Sequence, residues 1–81
     1  MGTINIRKLE AKLTELGLNK VELGKMLGYS RSAIYRRFEN NGALMTVDDA
    51  NQIIKALKLN APEAIAIFFA QLVPNFETSE V

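Results

Sequence analysis

Residues 20–38 read KVELGKMLGYSRSAIYRRF, and this stretch determines the fold that the sequence predicts. Apolar residues recur at helical spacing on both sides of Gly28, which can adopt the positive φ that a sharp turn between two helices needs. Ser30 is a suitable N-cap for the second of these helices. Two short helices joined by a three-residue turn that contains glycine have the layout of a helix-turn-helix.

Two further residues in this stretch suit steeply crossing helices. Gly24 lies four residues before Gly28, where such a crossing leaves room only for a small side chain. Ile34 lies six residues after Gly28 and is expected to fill the space between the helices, with Phe38 inward one turn later. Leu23 is expected to face inward from the first helix of the pair.

Three more helices and no sheet are predicted around this pair, because the apolar residues between the turn signals recur at helical spacing. The first is expected to end at Gly17, the fourth and fifth to begin after the N-caps Thr46 and Asn60, and the fifth to stop before Pro74. The expected inward-facing residues are Ile6, Leu9, Leu13 and Leu16 in the first helix, Val47, Ala50, Ile54 and Leu57 in the fourth, and Ile65, Phe68, Phe69 and Leu72 in the fifth. The prediction is a compact all-α five-helix domain over residues 1–74, followed by a flexible tail over residues 75–81.

The composition argues against catalysis. The chain has 81 residues, which suits one domain, and it contains neither cysteine nor histidine. Disulfides, thiolate nucleophiles and zinc fingers are thereby excluded, as is the commonest general base. Asp48 and Asp49 are adjacent, so they are better interpreted as first-turn residues of a helix than as a catalytic pair. We therefore expect no enzyme, no cofactor and no metal, and, without a targeting signal or a membrane span, a location in the cytoplasm.

The near-zero net charge of +1 conceals an asymmetry between the two halves of the chain. Residues 1–42 carry eight basic and four acidic residues, a balance of +4, whereas residues 43–81 carry two and five, a balance of −3. The positive half contains the predicted helix-turn-helix, which is the pattern expected of a DNA-binding surface.

The motif resembles that of a known family. Residues 23–24 (LG) and 27–34 (LGYSRSAI) are similar to the helix-turn-helix of the Cro/repressor-like (XRE-type) regulators of phages and bacteria. The helix order extends this resemblance to about residues 4–73, and the segment IFFA at 67–70 is similar to the last helix of small phage-encoded repressor-like proteins. The sequence departs from the family at Lys20, Gly24, Tyr29 and Arg37, where glutamine, alanine, an aliphatic residue and an apolar residue are more frequent.

The resemblance implies a sequence-specific DNA-binding transcriptional regulator of the bacterial cytoplasm, associated with the nucleoid when bound. In this class the N-terminal residues of the second motif helix contact base edges in the major groove, where arginine pairs with guanine. The residues expected to face bases are Arg31, Ser32, Tyr35 and Arg36. The residues expected to contact phosphates are Lys20, Ser30, Arg37, Asn40 and Asn41, although Asn40 and Asn41 also suit a plain helix end and turn.

The fifth helix is apolar on nearly all sides, which favours a twofold dimer that binds a palindromic operator. The residues predicted at the dimer contact are Ile67, Ala70, Gln71 and Val73. Alternatively, the tail covers this helix through Phe76. A second function also remains open, because small proteins of this type can act as antirepressors, modulators or antitoxins by binding another protein. No small-molecule ligand is indicated.

Overall fold

The computed structural model describes residues 4–69, and within them five helices follow one another without a strand. The prediction of an all-α fold is confirmed for this part of the chain. A 3-10 turn, Glu39–Gly42, follows the third helix, and a π-helical turn, Ile65–Phe69, continues the fifth. The helices are α1 (Ile6–Glu15), α2 (Lys20–Leu27), α3 (Arg31–Phe38), α4 (Val47–Leu57) and α5 (Ala61–Ala64).

Capping side chains start the helices, among them the predicted caps Ser30, Thr46 and Asn60. Asn19, Thr46 and Asn60 each form a capping box with the acidic residue three positions later, so that two backbone N–H groups at each start are satisfied. Before α3, the Ser30 hydroxyl accepts a hydrogen bond from the Ala33 backbone N–H at 3.2 Å. These local signals fix where four of the five helices begin.

The turn between α2 and α3 has the predicted geometry. Gly28 ends α2 in the left-handed region with φ 82°, and the Tyr29 backbone N–H donates to the Gly24 carbonyl at 2.7 Å. The helices cross closely at Gly24, where an added Cβ would lie 3.1 Å from both Cβ and Cγ2 of Ile34. Gly24 therefore permits the approach of α3 to α2, and Ile34 fills the contact.

One hydrophobic core joins α1, α2, α3, α4 and the π-helical turn that continues α5. Leu9, Leu13, Leu23, Ile34 and Phe38 are buried in it as predicted. Several of its members come from connecting segments or were not expected to face inward, and these are Ile4, Met45, Ile53, Leu59 and Ile67. No helix in the described part of the chain combines the length and the apolar character needed to cross a membrane.

Two predicted inward positions are wrong, at Leu16 and Val47. Leu16 lies beyond the end of α1 and is exposed, and Leu18 packs against the core after the chain turns at Gly17. Val47 is 59% exposed because the buried arc of α4 is centred between Asp49 and Ala50 and leaves Val47 on its flank. Ile53 takes the core position, while Ile54 is only half-buried.

The fifth helix differs most from the prediction. Ile67, which was expected near a dimer contact, is only 4% exposed and lies in the core beside Phe68, whereas Ile65 and Phe69 are half-buried. The π-helical turn changes the register of this segment relative to an α-helix, and the Asn5 backbone N–H donates to the Ile67 carbonyl at 2.8 Å. The assignment of Ile67 to a dimer surface is therefore corrected.

Several other predictions fall outside the described residues. They are the inward position of Leu72, the dimer contacts of Ala70, Gln71 and Val73, the helix stop at Pro74, and the tail over residues 75–81 with Phe76.

The close contact at Gly24 can be tested by enlarging the side chain. Gly24→Val should lower the free energy of unfolding by about 1–3 kcal/mol, because the added methyl groups overpack the contact with Ile34. Lys25→Val, at an exposed position of the same helix, is the matched control and should change stability by less than about 0.5 kcal/mol. Urea denaturation followed by circular dichroism measures both, and equal losses would show that the α2–α3 contact has room to spare.

Candidate nucleic-acid interface

The exposed face of α3 brings together the four residues that the sequence predicted to face bases. Arg31, Ser32, Tyr35 and Arg36 are all exposed, and they span an arc of about 140° at 100° per residue. The Arg31 guanidinium lies 5.5 Å from the centre of the Tyr35 ring. The side chain of Arg36 has no hydrogen bond or ion pair within residues 4–69. This face therefore presents two guanidinium groups and two hydroxyl groups to the solvent.

Lys20 lies beside this face at the start of α2. Its Nζ is 5.5 Å from the centre of the Tyr35 ring and 5.0 Å from that of Phe38, so the ammonium group lies against α3. The same Nζ is 3.0 Å from Oε2 of Glu10 on α1. Lys20 is thus where the sequence placed it, but it carries a carboxylate partner that the sequence did not reveal.

Arg37 has a different role from its neighbour Arg36. Its Nε donates to Oδ2 of Asp49 at 3.2 Å, its Nη1 donates to the Ala33 carbonyl at 3.1 Å, and its guanidinium stacks 4.2 Å from the centre of the Tyr29 ring. These contacts engage the Arg37 guanidinium with partners inside the protein and connect α3 to α4. They count against the predicted phosphate contact of Arg37, which we leave out of the proposed interface.

The partner of Arg37 is Asp49, which the sequence predicted only as a first-turn residue of a helix. Asp49 is only 2% exposed, and it accepts hydrogen bonds from the Tyr29 hydroxyl, from Arg37 and from the Thr46 backbone N–H. Its place as the third residue of α4 is visible in the capping-box pattern, and its first-turn position is confirmed. Its tertiary partners, 12 and 20 residues away in sequence, leave no local signal.

The hydrogen bonds around Asp49 outweigh the effect of its burial. Burial disfavours the charged form, but hydrogen bonds from Thr46 and Tyr29 and the positive charge of Arg37 together hold the pKa of Asp49 below its usual value of 3.8. The same contact raises the pKa of the Tyr29 hydroxyl, which donates to the carboxylate. Asp49 is therefore ionised at neutral pH and fixes the orientation of Arg37 and Tyr29.

The remaining predicted phosphate contacts lie at the two ends of α3. Ser30 is exposed at its start and caps it, and Asn40 and Asn41 are exposed after its end with φ of 52° and 56°. Asparagine tolerates this left-handed conformation better than most residues. The Asn41 carbonyl accepts from the Ile4 backbone N–H at 3.0 Å, which anchors the backbone there, while the amide groups of both side chains have no hydrogen bond within residues 4–69.

Comparison with known proteins gives no relative. No protein-family model matches the chain, and neither a curated protein nor a solved structure resembles it at a significant level. In the described residues no three His, Cys, Asp or Glu side chains are grouped closely enough to hold a metal ion.

The two adjacent aspartates provide a matched test of the buried carboxylate. Asp49→Ala should lower the free energy of unfolding by about 2–4 kcal/mol, because it removes the carboxylate that accepts from the Thr46 backbone N–H in the capping box and that is the partner of Arg37 and Tyr29. Asp48→Ala removes only an exposed hydrogen bond with Gln52 and should cost less than about 0.5 kcal/mol. Chemical denaturation measures both losses, and equal values would contradict the role of Asp49.

The lowered pKa of Asp49 predicts that its contribution to stability depends on pH. Because the pKa of Asp49 is lowered on folding, its stabilisation is complete above its usual pKa of 3.8 and is lost as the pH falls through the folded-state pKa. The difference in unfolding free energy between the wild type and Asp49→Ala should therefore shrink below about pH 4. A difference that stays constant down to pH 2 would show that the charge of Asp49 is unimportant.

Proposed function

We propose that the protein is a sequence-specific DNA-binding transcriptional regulator in which α2 and α3 form a helix-turn-helix and α3 enters the major groove. The observation that carries this proposal is the exposed face of α3, where Arg31, Ser32, Tyr35 and Arg36 lie together without a carboxylate partner in the described residues. Basic and hydroxyl side chains at the start of the second helix of such a pair are the groups that contact base edges in a helix-turn-helix.

The dimensions of α3 suit this role. Its eight residues make a helix about 12 Å long, comparable with the major-groove width of about 12 Å. Arg31 lies in the first turn, which is the part of a recognition helix that reaches base edges. Its guanidinium can donate two parallel hydrogen bonds to O6 and N7 of guanine, and Tyr35 beside it offers an apolar ring to a thymine methyl group.

Polar groups at both ends of α3 suit contacts with the DNA backbone. Lys20 lies against the rings of Tyr35 and Phe38, on the motif helix that crosses the DNA backbone in this class of protein, and Ser30 lies at the N-terminal end of α3. Asn40 and Asn41 lie at the other end, with exposed amide groups as donors. The hydroxyl of Ser30 accepts one hydrogen bond in capping α3 and keeps its own proton for a phosphate oxygen. These groups would set the register of α3 without reading sequence.

Binding as a dimer to a palindromic site is part of the proposal. A single helix contacts few base pairs, whereas two copies placed about 34 Å apart read two half-sites on one face of the duplex. With Ile67 in the core, the proposed dimer rests on this geometric argument and not on a surface in residues 4–69.

One observation favours the second candidate function, a module that binds another protein. Leu44 and Val47 lie on either side of the α4 N-cap, and each exposes more than half of its surface. A partner that covered them would suit an antirepressor or antitoxin. Such a partner would leave the arginines of α3 without a role, which is why we place this candidate second.

Selection from random duplex DNA tests the proposed function directly. The wild-type protein should enrich a site with twofold symmetry. Arg31→Ala should lose about 1–3 kcal/mol of discrimination while keeping weak binding that is sensitive to salt. Lys55→Ala, which removes one positive charge from an exposed position on α4, should keep the sequence preference.

Each result of the selection has a definite meaning. A sequence preference that survives Arg31→Ala would show that the orientation assigned to α3 is wrong. Enrichment of a site without symmetry would contradict the dimer. If the wild type binds no duplex even at low salt, the proposal fails and the protein-interaction module is favoured.

The salt dependence of binding is a separate prediction. Lys20, Arg31 and Arg36 would bring three positive charges to the DNA and displace about one counterion each, whether they contact a phosphate or a base in the groove. The logarithm of the association constant should therefore fall with the logarithm of salt concentration with a slope of about −3 per copy. Fluorescence anisotropy with a labelled duplex at several salt concentrations measures the slope. A flat response would contradict binding that depends on these cations.

A further inference from the structure

We propose, resting on the proposed function, that Glu10 competes with DNA phosphates for the ammonium group of Lys20 and thereby weakens binding to non-specific DNA. The ion pair joins α1 to the first residue of α2, immediately beside α3. Glu10 thus limits the affinity for DNA from outside the two helices that would contact it.

Lys20 connects the ion pair with Glu10 to α3, the helix proposed to face DNA. Two aromatic rings of α3 hold its ammonium group, with centres at 5.5 Å for Tyr35 and 5.0 Å for Phe38. Tyr35 in turn carries the guanidinium of Arg31 at 5.5 Å. Glu10 therefore neutralises a charge that belongs to the same cluster as the predicted base-reading residues.

The surface around the pair leaves room for an anion. A groove of about 330 Å³ opens beside it, and Glu10, Lys20, Tyr35, Thr14 and Asn19 are among its lining residues. Both partners remain accessible, since the side chain of Lys20 is 31% exposed and that of Glu10 is 43% exposed. A phosphate oxygen can therefore reach Nζ from the solvent, but it must either displace the Glu10 carboxylate or lie beside this second negative charge, which repels it.

The consequence is a penalty that acts on every DNA sequence. Non-specific binding depends almost entirely on phosphate contacts, so a competitor for one cation lowers its affinity directly. Specific binding adds base contacts from α3 that Glu10 does not touch, and it carries the same penalty at the Lys20 phosphate contact. The pair thus lowers the affinity for DNA of any sequence without taking part in base readout.

A second glutamate on α1 supplies a matched control. Glu15 also pairs with a lysine, Lys12, at 3.3 Å, but Lys12 keeps another carboxylate, that of Glu63, at 2.7 Å. Replacing either glutamate with glutamine changes the net charge by the same amount. Only Glu10→Gln releases a cation beside α3.

The test is the affinity for a random-sequence duplex, measured by fluorescence anisotropy as a function of salt. Glu10→Gln should tighten binding about two- to fivefold at low salt, which is the range expected for one exposed ion pair, and should steepen the salt slope by up to about 0.9. Glu15→Gln should leave both quantities close to those of the wild type. In a Lys20→Gln background, Glu10→Gln should have no effect.

The outcomes separate this inference from the function on which it rests. If the wild type binds no duplex, the proposed function fails first. If the wild type binds but Glu10→Gln behaves like Glu15→Gln, or tightens binding equally without Lys20, the inference fails and the proposed function stands. Circular dichroism checks that each variant is folded, and Glu10→Ala, which favours helix, replaces Glu10→Gln if that variant loses structure.

Discussion

The carboxylate of Asp49 connects three parts of the chain, and the arrangement of the helices around it depends on these contacts. It caps α4 through Thr46, accepts from the Tyr29 hydroxyl in the turn before α3, and pairs with Arg37 near the end of α3. A buried charge is tolerable only when its hydrogen bonds are satisfied, so these partners hold each other in one geometry. The orientation of α3 relative to α4, and with it the direction in which the arginines of α3 point, follows from this constraint and from the close contact of Gly24 with Ile34.

The constraint gives two neighbouring arginines opposite roles. Arg37 is turned inward, where its guanidinium contacts Asp49, the Ala33 carbonyl and the Tyr29 ring. Arg36, about 100° further round the helix, stays exposed. One helix thus carries a structural cation on one face and a group of accessible polar side chains on another. The accessible group is the basis of the proposed DNA binding, and the structural cation keeps that group in place.

Lys20 combines these two roles, because it has partners within the protein and is also accessible. The aromatic rings of Tyr35 and Phe38 hold it against α3, and Glu10 holds it against α1. Because the ion pair is exposed, it contributes little to folding, and its main physical effect is on what else Lys20 can bind. A weak contact of this kind can adjust affinity without disturbing the fold.

Local signals in the sequence by themselves determined where the helices lie and how the α2–α3 pair packs. Capping residues, the positive φ of Gly28 and the spacing of Leu23, Ile34 and Phe38 act within a few residues, so they can be inferred without a structure. The same spacing placed Arg31, Ser32, Tyr35 and Arg36 together on the outer face of α3. Only the tertiary structure decided which polar groups are partners, as in Arg37 with Asp49 and Lys20 with Glu10, because these pairs join different helices. It also placed Ile67 in the core, since the register at the end of α5 depends on a π-helical turn and on packing against α1 rather than on apolar spacing.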